Sequence, residues 1–145
     1  MNLKEDYMIR IKSCIEQDGE SQDIDLMTRG SFLHKGGYYY ITYIETETSG
    51  YPGCTTTLKV AEDQSKVALL RFGQAASQLL IERGRRHLCH YETGYGSLTL
   101  GVTADEIVSE LNEKGGTVRF SYLLDAGNAE LMSKSSLTVT VTHIN

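Results

Sequence analysis

Apolar and polar side chains alternate one by one in several separate segments of this chain. Near the C-terminus, Leu137, Val139 and Val141 are interleaved with three threonines, and near the N-terminus Ile9 and Ile11 are interleaved with basic residues. A period of two places successive side chains on opposite faces of an extended backbone. Each such segment therefore predicts a β-strand with one buried and one solvent-exposed face.

Turn-forming residues separate these segments from one another. The segment 38–44 contains four tyrosines and two isoleucines, residue types that fit a pleated sheet better than a helix. The segment 91–100 contains Gly94 and Gly96 at its centre, which is typical of a β-hairpin with a tight turn. The predicted strands cover residues 7–16, 23–33, 38–44, 55–61, 66–72, 77–82, 87–93, 96–103, 117–124 and 136–144.

The segment 103–116 carries signals for both a helix and a strand. Thr103 followed three residues later by Glu106 matches a capping box, and Gly115 and Gly116 would end a helix. These local signals favour a helix, whereas alternation within the segment and its strand neighbours favour a strand. A sheet of so many strands leaves two exposed edges unless it closes on itself, so the preferred architecture is a closed barrel.

Composition limits the class of protein. The 145 residues contain one proline and no Ser/Gly-rich linker, which predicts a single domain over residues 1–145. An odd number of cysteines, a first segment without a basic leader and the lack of a long apolar run predict a cytoplasmic protein with reduced thiols and no membrane span. A net charge of −5 makes nucleic-acid binding an unfavourable expectation.

Arg71 is the most unusual candidate site residue, because it shares a strand face with the apolar Val67 and Leu69. A charge on an apolar face needs a partner. Arg71 is therefore either one half of a structural ion pair at a barrel end or the anchor for a ligand carboxylate inside the lumen. The tyrosines that could line such a lumen, or simply fill it, include Tyr39, Tyr43 and Tyr122.

A dense basic run lies in the predicted turn after residue 82. Arg83 and Arg85, with Tyr91 nearby, could bind an anionic ligand, because guanidinium groups form forked hydrogen bonds with phosphate and carboxylate. The alternative is a solvated rim loop whose arginines pair with Glu82 or Glu92. Tyr91 could also stack on a nucleic-acid base, but no RNA-binding motif accompanies it.

No motif in the chain predicts a metal, a cofactor or a catalytic centre. In a strand, His87 and Cys89 would point to one side and His90 to the other, so the three cannot converge on one ion. The chain also lacks a Gly-x-Ser-x-Gly elbow and a phosphate-binding glycine loop. We therefore expect no cofactor and no bound metal, and we do not expect an enzyme.

Several segments resemble the small bacterial YwiB-like proteins, an uncharacterised β-barrel family with a calycin-like (lipocalin-like) fold. The landmarks are Thr28–Gly30, Arg71–Gly73, Tyr91–Leu100 and Gly116–Leu124. The resemblance implies an all-β, closed antiparallel barrel of about eight to ten strands, with little or no helix and with a strand through residues 106–112. It supplies no catalytic residue, because the family has no established activity.

The chain departs from the family pattern at two places: Gly94 stands in place of a proline, and an asparagine of the family pattern is missing near Ser136. It also has no tryptophan, so the Gly-x-Trp signature of true lipocalins is missing. We expect a binding module that holds a small amphipathic or anionic ligand in its lumen or at its rim. Two alternatives stay open: a solid barrel that acts through protein contacts, such as a homodimer, and a rim enzyme that uses His87 or His90.

Overall fold

The computed structural model describes residues 6–46, 52–73, 76–93, 96–126 and 131–144, with residues 91–93 and 97 described only by their backbone. Within these ranges every regular element is a strand. None of the described residues forms a helix long and apolar enough to cross a membrane. The strands are β1 (Tyr7–Gln17), β2 (Glu20–Lys35), β3 (Tyr38–Ile44), β4 (Thr55–Ala61), β5 (Lys66–Phe72), β6 (Ser77–Glu82), β7 (Arg86–Thr93), β8 (Gly96–Asn112), β9 (Gly115–Asp125) and β10 (Leu131–His143).

Each strand pairs antiparallel with the next strand along the chain, and β10 returns to pair with β1. This ring confirms the predicted closed antiparallel barrel of about eight to ten strands. In β1, Ile11 lies between Val139 of β10 and Leu26 of β2, so the alternating apolar residues of three strands meet on the inner face. The barrel leaves no free edge between its first and last strands, which removes the aggregation hazard of an open sheet.

Residues 103–116 form the second half of β8 and the start of β9, so the helix that the local signals favour is wrong and the strand implied by the family resemblance is confirmed. The backbone of this segment is paired with β9 along its length, and Ile107 packs in the core with Phe120. A bulge at Asp105, between Ala104 and Glu106, shifts the register by one residue. These tertiary contacts outweigh the capping-box preference.

The predicted strand boundaries are too narrow at both ends of the molecule. β2 begins at Glu20 rather than at residue 23, and β10 begins at Leu131 rather than at residue 136. Both extensions consist mainly of polar residues, so they lack the apolar alternation that marks a strand in sequence. They are held by backbone pairing with neighbouring strands.

Large apolar side chains fill the middle of the lumen. The fully buried ones are Ile9, Ile41, Leu58, Val60, Val67, Ile81, Val102, Ile107, Val118, Phe120 and Val139, contributed by eight of the ten strands. This packing divides the interior into two ends. We call them the Arg71 end, where Tyr43, Arg71 and Tyr122 lie, and the His34 end, where His34 and Tyr39 lie.

The weakest part of the wall is the boundary between β6 and β7. Ser77 pairs with Tyr91, and beyond the strands a single bridge joins Glu82 to Arg85. Four residues of one chain segment and five of the other lie between these two pairs, so the register slips by one across the boundary. The predicted hairpin after β7 is confirmed in its strands, but its central residues 94 and 95 lie outside the described part of the chain.

Candidate ligand-binding site

A cavity of about 130 Å³ opens inside the barrel at the Arg71 end. Its wall combines an apolar half with a polar half. The apolar half is formed by Ile11, Ile15, Ile24, Leu26, Leu69 and Leu137, and the polar half by Ser13, Tyr43, Glu45, Arg71, Tyr122 and Ser135. Three residues singled out by the sequence, Tyr43, Arg71 and Tyr122, therefore line one cavity.

Strand alternation explains why these side chains point inward. On β3 the buried positions are Ile41 and Tyr43, and Glu45, just beyond the strand, continues the same parity. On β5 the buried Val67 and Leu69 are followed by Arg71 on the same face. On the inner face of the barrel, β3 and β5 thus both change from apolar to polar side chains toward the Arg71 end.

The Glu45 carboxylate lies at the centre of a buried hydrogen-bond network. Glu45 is only 5% exposed, and the hydroxyl of the fully buried Thr56 donates a 2.8 Å hydrogen bond to its Oε1 atom. The Tyr43 hydroxyl donates a second hydrogen bond to the same carboxylate. The protein therefore supplies donors of its own to this buried charge, as a stable buried carboxylate requires.

The environment of Tyr43 keeps its hydroxyl protonated. Burial is the largest cause and raises the pKa of Tyr43 well above its usual value, and the adjacent negative charge of Glu45 raises the pKa further. The positive charge of Arg71 acts in the opposite direction on the pKa of Tyr43. Tyr43, Glu45 and Arg71 are thus electrostatically connected within one small volume.

Arg71 supplies the positive charge of the cavity. Its Nη1 atom donates a 3.3 Å hydrogen bond to Ser77 Oγ at the start of β6. A guanidinium carries five N–H donors in one plane, so it can serve several acceptors at once. On the other side of the lumen, Ser13 and Ser135 add hydroxyl groups to the cavity wall.

Tyr39 faces the lumen as predicted but lies at the opposite end. Its ring stacks on the His34 imidazole with a centroid distance of 4.4 Å. His34 in turn contacts the Glu62 carboxylate through Nε2 and lies 3.7 Å from Glu113 through Nδ1. Desolvation, followed by the charges of Glu62 and Glu113, raises the pKa of Tyr39. Tyr39 is therefore part of the packing at the His34 end.

The two arginines of the predicted anion-binding loop also lie at the His34 end. Arg83 donates to the carbonyl oxygens of Gln64, at 2.7 Å, and of Ile107. These bonds join the β6–β7 turn to the β4–β5 turn and to the part of β8 that extends beyond β7. Arg85 is exposed in the same turn, and the side chain of Tyr91 lies outside the described part of the chain.

The remaining polar residues of β7 have protein partners. Arg86 forms a forked pair with Asp125, with Nε 2.9 Å from Oδ2, and this pair crosses the outer face over Gly101. His87 donates a 2.8 Å hydrogen bond to Glu82, which lowers the pKa of that carboxyl. Within the basic run at residues 83–87, His87 is therefore the residue that pairs with Glu82.

Glu45, which lines the cavity, and Thr56, which donates a hydrogen bond to it, are absent from the sequence-based site. Glu45 follows the last residue of β3, and Thr56 lies among three consecutive threonines, so neither stands out by residue type. The parity of β3 is the signal that could have found Glu45, because positions 41, 43 and 45 share a face. Thr56 has the same parity as Leu58 and Val60 on β4.

The chain is similar to known proteins over most of its length. The family model described as a domain of unknown function, DUF1934, matches residues 9–139. The chain belongs to the DUF1934 family. This assignment agrees with the resemblance to YwiB-like proteins seen in the sequence, which is confirmed.

The chain is similar to the uncharacterized beta-barrel protein YwiB of Bacillus subtilis (strain 168). The chain is 27% identical to it over 122 residues, which cover 84% of this chain and 83% of the relative. The crystal structure of the ywiB protein from Bacillus subtilis superimposes with a TM-score of 0.81 at 24% identity, covering 96% of this chain and 92% of that one. This match shows that the barrel fold is shared.

Proposed function

We propose that this DUF1934 protein is a non-catalytic, cytoplasmic binding protein with a calycin-like barrel, and that it holds a small amphipathic carboxylate at the Arg71 end. The observation that carries the proposal is the cavity itself, where the guanidinium of Arg71 shares a wall with six aliphatic side chains. A ligand with one anionic group and one short apolar tail matches both halves of that wall.

The polar half favours an anion over a cation. Glu45 already accepts hydrogen bonds from Thr56 and Tyr43, so its negative charge is directed toward protein donors. Arg71 offers a planar, forked donor group that fits a carboxylate in two-point geometry. The hydroxyls of Ser13 and Ser135 provide further donors for a carboxylate oxygen.

The size of the cavity limits the ligand. Its volume of about 130 Å³ is that of about four water molecules, which is well below the range typical of drug-sized ligands. A short-chain carboxylate fits this volume, whereas a long fatty acid does not. The filled middle of the lumen, with Phe120 and Ile41 fully buried, sets the inner limit of the tail.

Isothermal titration calorimetry with propionate, butyrate and hexanoate, and with butanol and butylamine as charge controls, tests the proposal. We expect binding of butyrate or propionate, with affinities at least tenfold weaker for butanol and butylamine. Binding of the amine in preference to the carboxylates would contradict the assigned ligand class. Lack of heat and lack of a thermal shift with all five compounds would contradict ligand binding at this cavity.

Substitutions separate the cavity from the rest of the surface. Arg71→Met removes the charge but keeps an aliphatic stem, and it should weaken carboxylate binding at least tenfold. Arg119→Met is the matched control, because Arg119 is exposed on the outer face of β9. Arg71→Lys keeps the charge without the fork and should give an intermediate affinity, which tests the site even if Arg71→Met folds poorly.

A further inference from the structure

We infer that the outer face of β3, β4 and β5 is the interface of a homodimer. The β3–β5 face consists of the outward-pointing residues of these strands, which alternate with the buried ones. They are Tyr38, Tyr40, Thr42 and Ile44 on β3, Thr55, Thr57 and Lys59 on β4, and Lys66, Ala68, Leu70 and Phe72 on β5. Most of them are apolar, aromatic or hydroxyl-bearing.

Large apolar side chains are exposed together on this face. Ile44 is 52% exposed and Phe72 is 59% exposed, and both strands place them opposite Thr55, so they lie on either side of one threonine. In the middle of the barrel wall, the exposed Leu33 of β2 is paired with Tyr40 and extends the apolar surface beyond β3. Contiguous exposed apolar surface of this kind is typical of interaction sites.

The charges on the face are few and of one sign. Lys59 and Lys66 are its charged residues, and no outward position of β3, β4 or β5 carries a carboxylate. Both ammonium groups lie over aromatic rings, with Lys59 Nζ 4.3 Å from the centre of the Tyr38 ring. The outer surface of β10, β1 and β2 differs, because it carries Arg10, Lys12, Glu16, Asp23, Asp25, Arg29, Lys35 and Lys134.

This charge distribution selects a second copy of the chain as the occupant. Two copies with a net charge of −5 each repel one another, and the repulsion is weakest where both surfaces lack carboxylates. Closed dimers with a twofold axis place the same patch of both copies in contact, so the patch must complement itself. A face that combines apolar side chains with a few cations meets this condition only if the cations do not oppose each other.

A twofold axis that lies between the two walls at the level of Thr57, and runs at right angles to the strands, keeps the lysines apart. On β4, Lys59 lies two residues from Thr57 toward the His34 end, and Thr55 lies two residues from Thr57 toward the Arg71 end. Rotation by a half-turn therefore places Lys59 of one copy over Thr55 of the other copy, between its Ile44 and Phe72. The aliphatic stem of the lysine can pack there while its ammonium reaches solvent.

The dimensions of the face indicate a moderate affinity. Seven-residue strands are about 23 Å long, and three neighbouring strands at about 4.8 Å spacing span about 14 Å. The flat footprint of roughly 330 Å² per copy lies well below the roughly 800 Å² per partner of a standard stable interface. We therefore expect a dimer with a micromolar dissociation constant rather than an obligate one.

Sedimentation velocity from about 1 µM to about 200 µM measures the association expected from this footprint. The sedimenting mass should rise from one chain to two, and Phe72→Glu should weaken dimerisation at least tenfold. Leu131→Glu is the matched control, because Leu131 is 62% exposed on β10, away from the β3–β5 face, and should leave association unchanged. A wild-type monomer at the highest concentration, or assembly beyond two chains, would overturn the inference.

A cross-link tests the position of the axis. Cys14 is partly exposed, whereas Cys54 and Cys89 are buried, so a Cys14→Ser background removes the accessible native thiol. In this background, Thr57→Cys should be cross-linked between copies by a short bis-maleimide, since two sheets packed face to face lie about 10 Å apart. Thr140→Cys on β10 should not be. Cross-linking at residue 140 but not at 57 would place the dimer contact on the opposite face and contradict the proposal.

Discussion

The hydroxyl of Thr56 donates a 2.8 Å hydrogen bond to the Glu45 carboxylate, and both residues are buried at the Arg71 end. Thr56→Val keeps the shape of the side chain but removes this donor. Because a buried carboxylate that loses a donor bears an increased desolvation cost, we expect a loss of about 1–3 kcal/mol in the free energy of unfolding, measured by urea denaturation.

Thr57→Val is the control for this change. The Thr57 hydroxyl lies on the outer face, 3.0 Å from the Thr42 hydroxyl, where water can replace the lost hydrogen bond. We expect its effect to stay within about 0.5 kcal/mol. Equal effects of the two substitutions would show that Glu45 does not depend on Thr56.

The raised pKa of Tyr43 predicts a pH dependence of stability in alkaline solution. The folded pKa lies above the unfolded value of 10.0, so the stabilising contribution is fully present below pH 10.0 and is lost as the pH rises toward the folded value. Tyr43→Phe removes this titration. The free energy of unfolding of the wild type should therefore fall relative to that of Tyr43→Phe by about 1.4 kcal/mol per pH unit above about pH 10.

Chemical denaturation of both proteins at pH 8, 9, 10 and about 11 provides the measurement. Only the difference between the two curves matters, because the other tyrosines are common to both proteins. Parallel curves over this range would contradict the assignment of a raised pKa to Tyr43.

Arg83 is predicted to stabilise the folded barrel and not to bind a ligand. Its guanidinium donates to two backbone carbonyl groups, at Gln64 and Ile107, that belong to two different parts of the wall. Arg83→Met should lower the free energy of unfolding by about 1 kcal/mol. The exposed Arg85 lies in the same turn, so Arg85→Met is the control and should change stability by less than about 0.5 kcal/mol.

Carboxylate affinity distinguishes the stabilising role of Arg83 from the anion-binding role that the sequence also permits. Neither Arg83→Met nor Arg85→Met should alter butyrate binding, since both residues lie at the His34 end. A tenfold loss of affinity in either variant would move the site to that end of the barrel.

Gly101 is predicted to be essential for the Arg86–Asp125 ion pair. A β-carbon added at Gly101 would collide with the Arg86 guanidinium and the Asp125 carboxylate. Gly101→Ala should therefore displace this ion pair and destabilise the protein by about 1 kcal/mol. The same substitution in an Asp125→Ala background should cost less, because the pair is already broken, and a double-mutant cycle of thermal or urea unfolding measures the difference. Additive effects would contradict this account.

Strand alternation relates a side chain to its neighbours on the same face. Arg71 shares a face with Val67 and Leu69, Tyr43 shares a face with Ile41, and in the structure both faces point into the lumen. Alternation does not give the height of a residue in the barrel. Tyr39 has the same parity as Tyr43 but lies four residues away, or about 13 Å along the strand, and therefore at the other end.

The basic run illustrates a second limit of sequence reasoning. Arg83 and Arg85 are separated from the 91–100 hairpin by only a few residues, but those residues form β7, which runs the length of the barrel wall. The basic run and the hairpin are therefore close in sequence but lie at opposite ends of the barrel. The helix signals at residues 103–116 failed for a related reason, because pairing with β9 and burial of Ile107 are long-range contacts that a local motif does not contain.

The most direct test of the proposed binding site is a two-dimensional ¹H–¹⁵N NMR titration of the labelled protein with butyrate, which reports binding and its location together. We predict shifts of the Arg71 Nε–H signal and of the backbone amides of Ser13, Tyr43 and Ser135, with little change at His34 and Tyr39. Saturation should follow one binding curve. Unchanged spectra at a large excess of butyrate, or shifts confined to the His34 end, would contradict carboxylate binding at the Arg71 end.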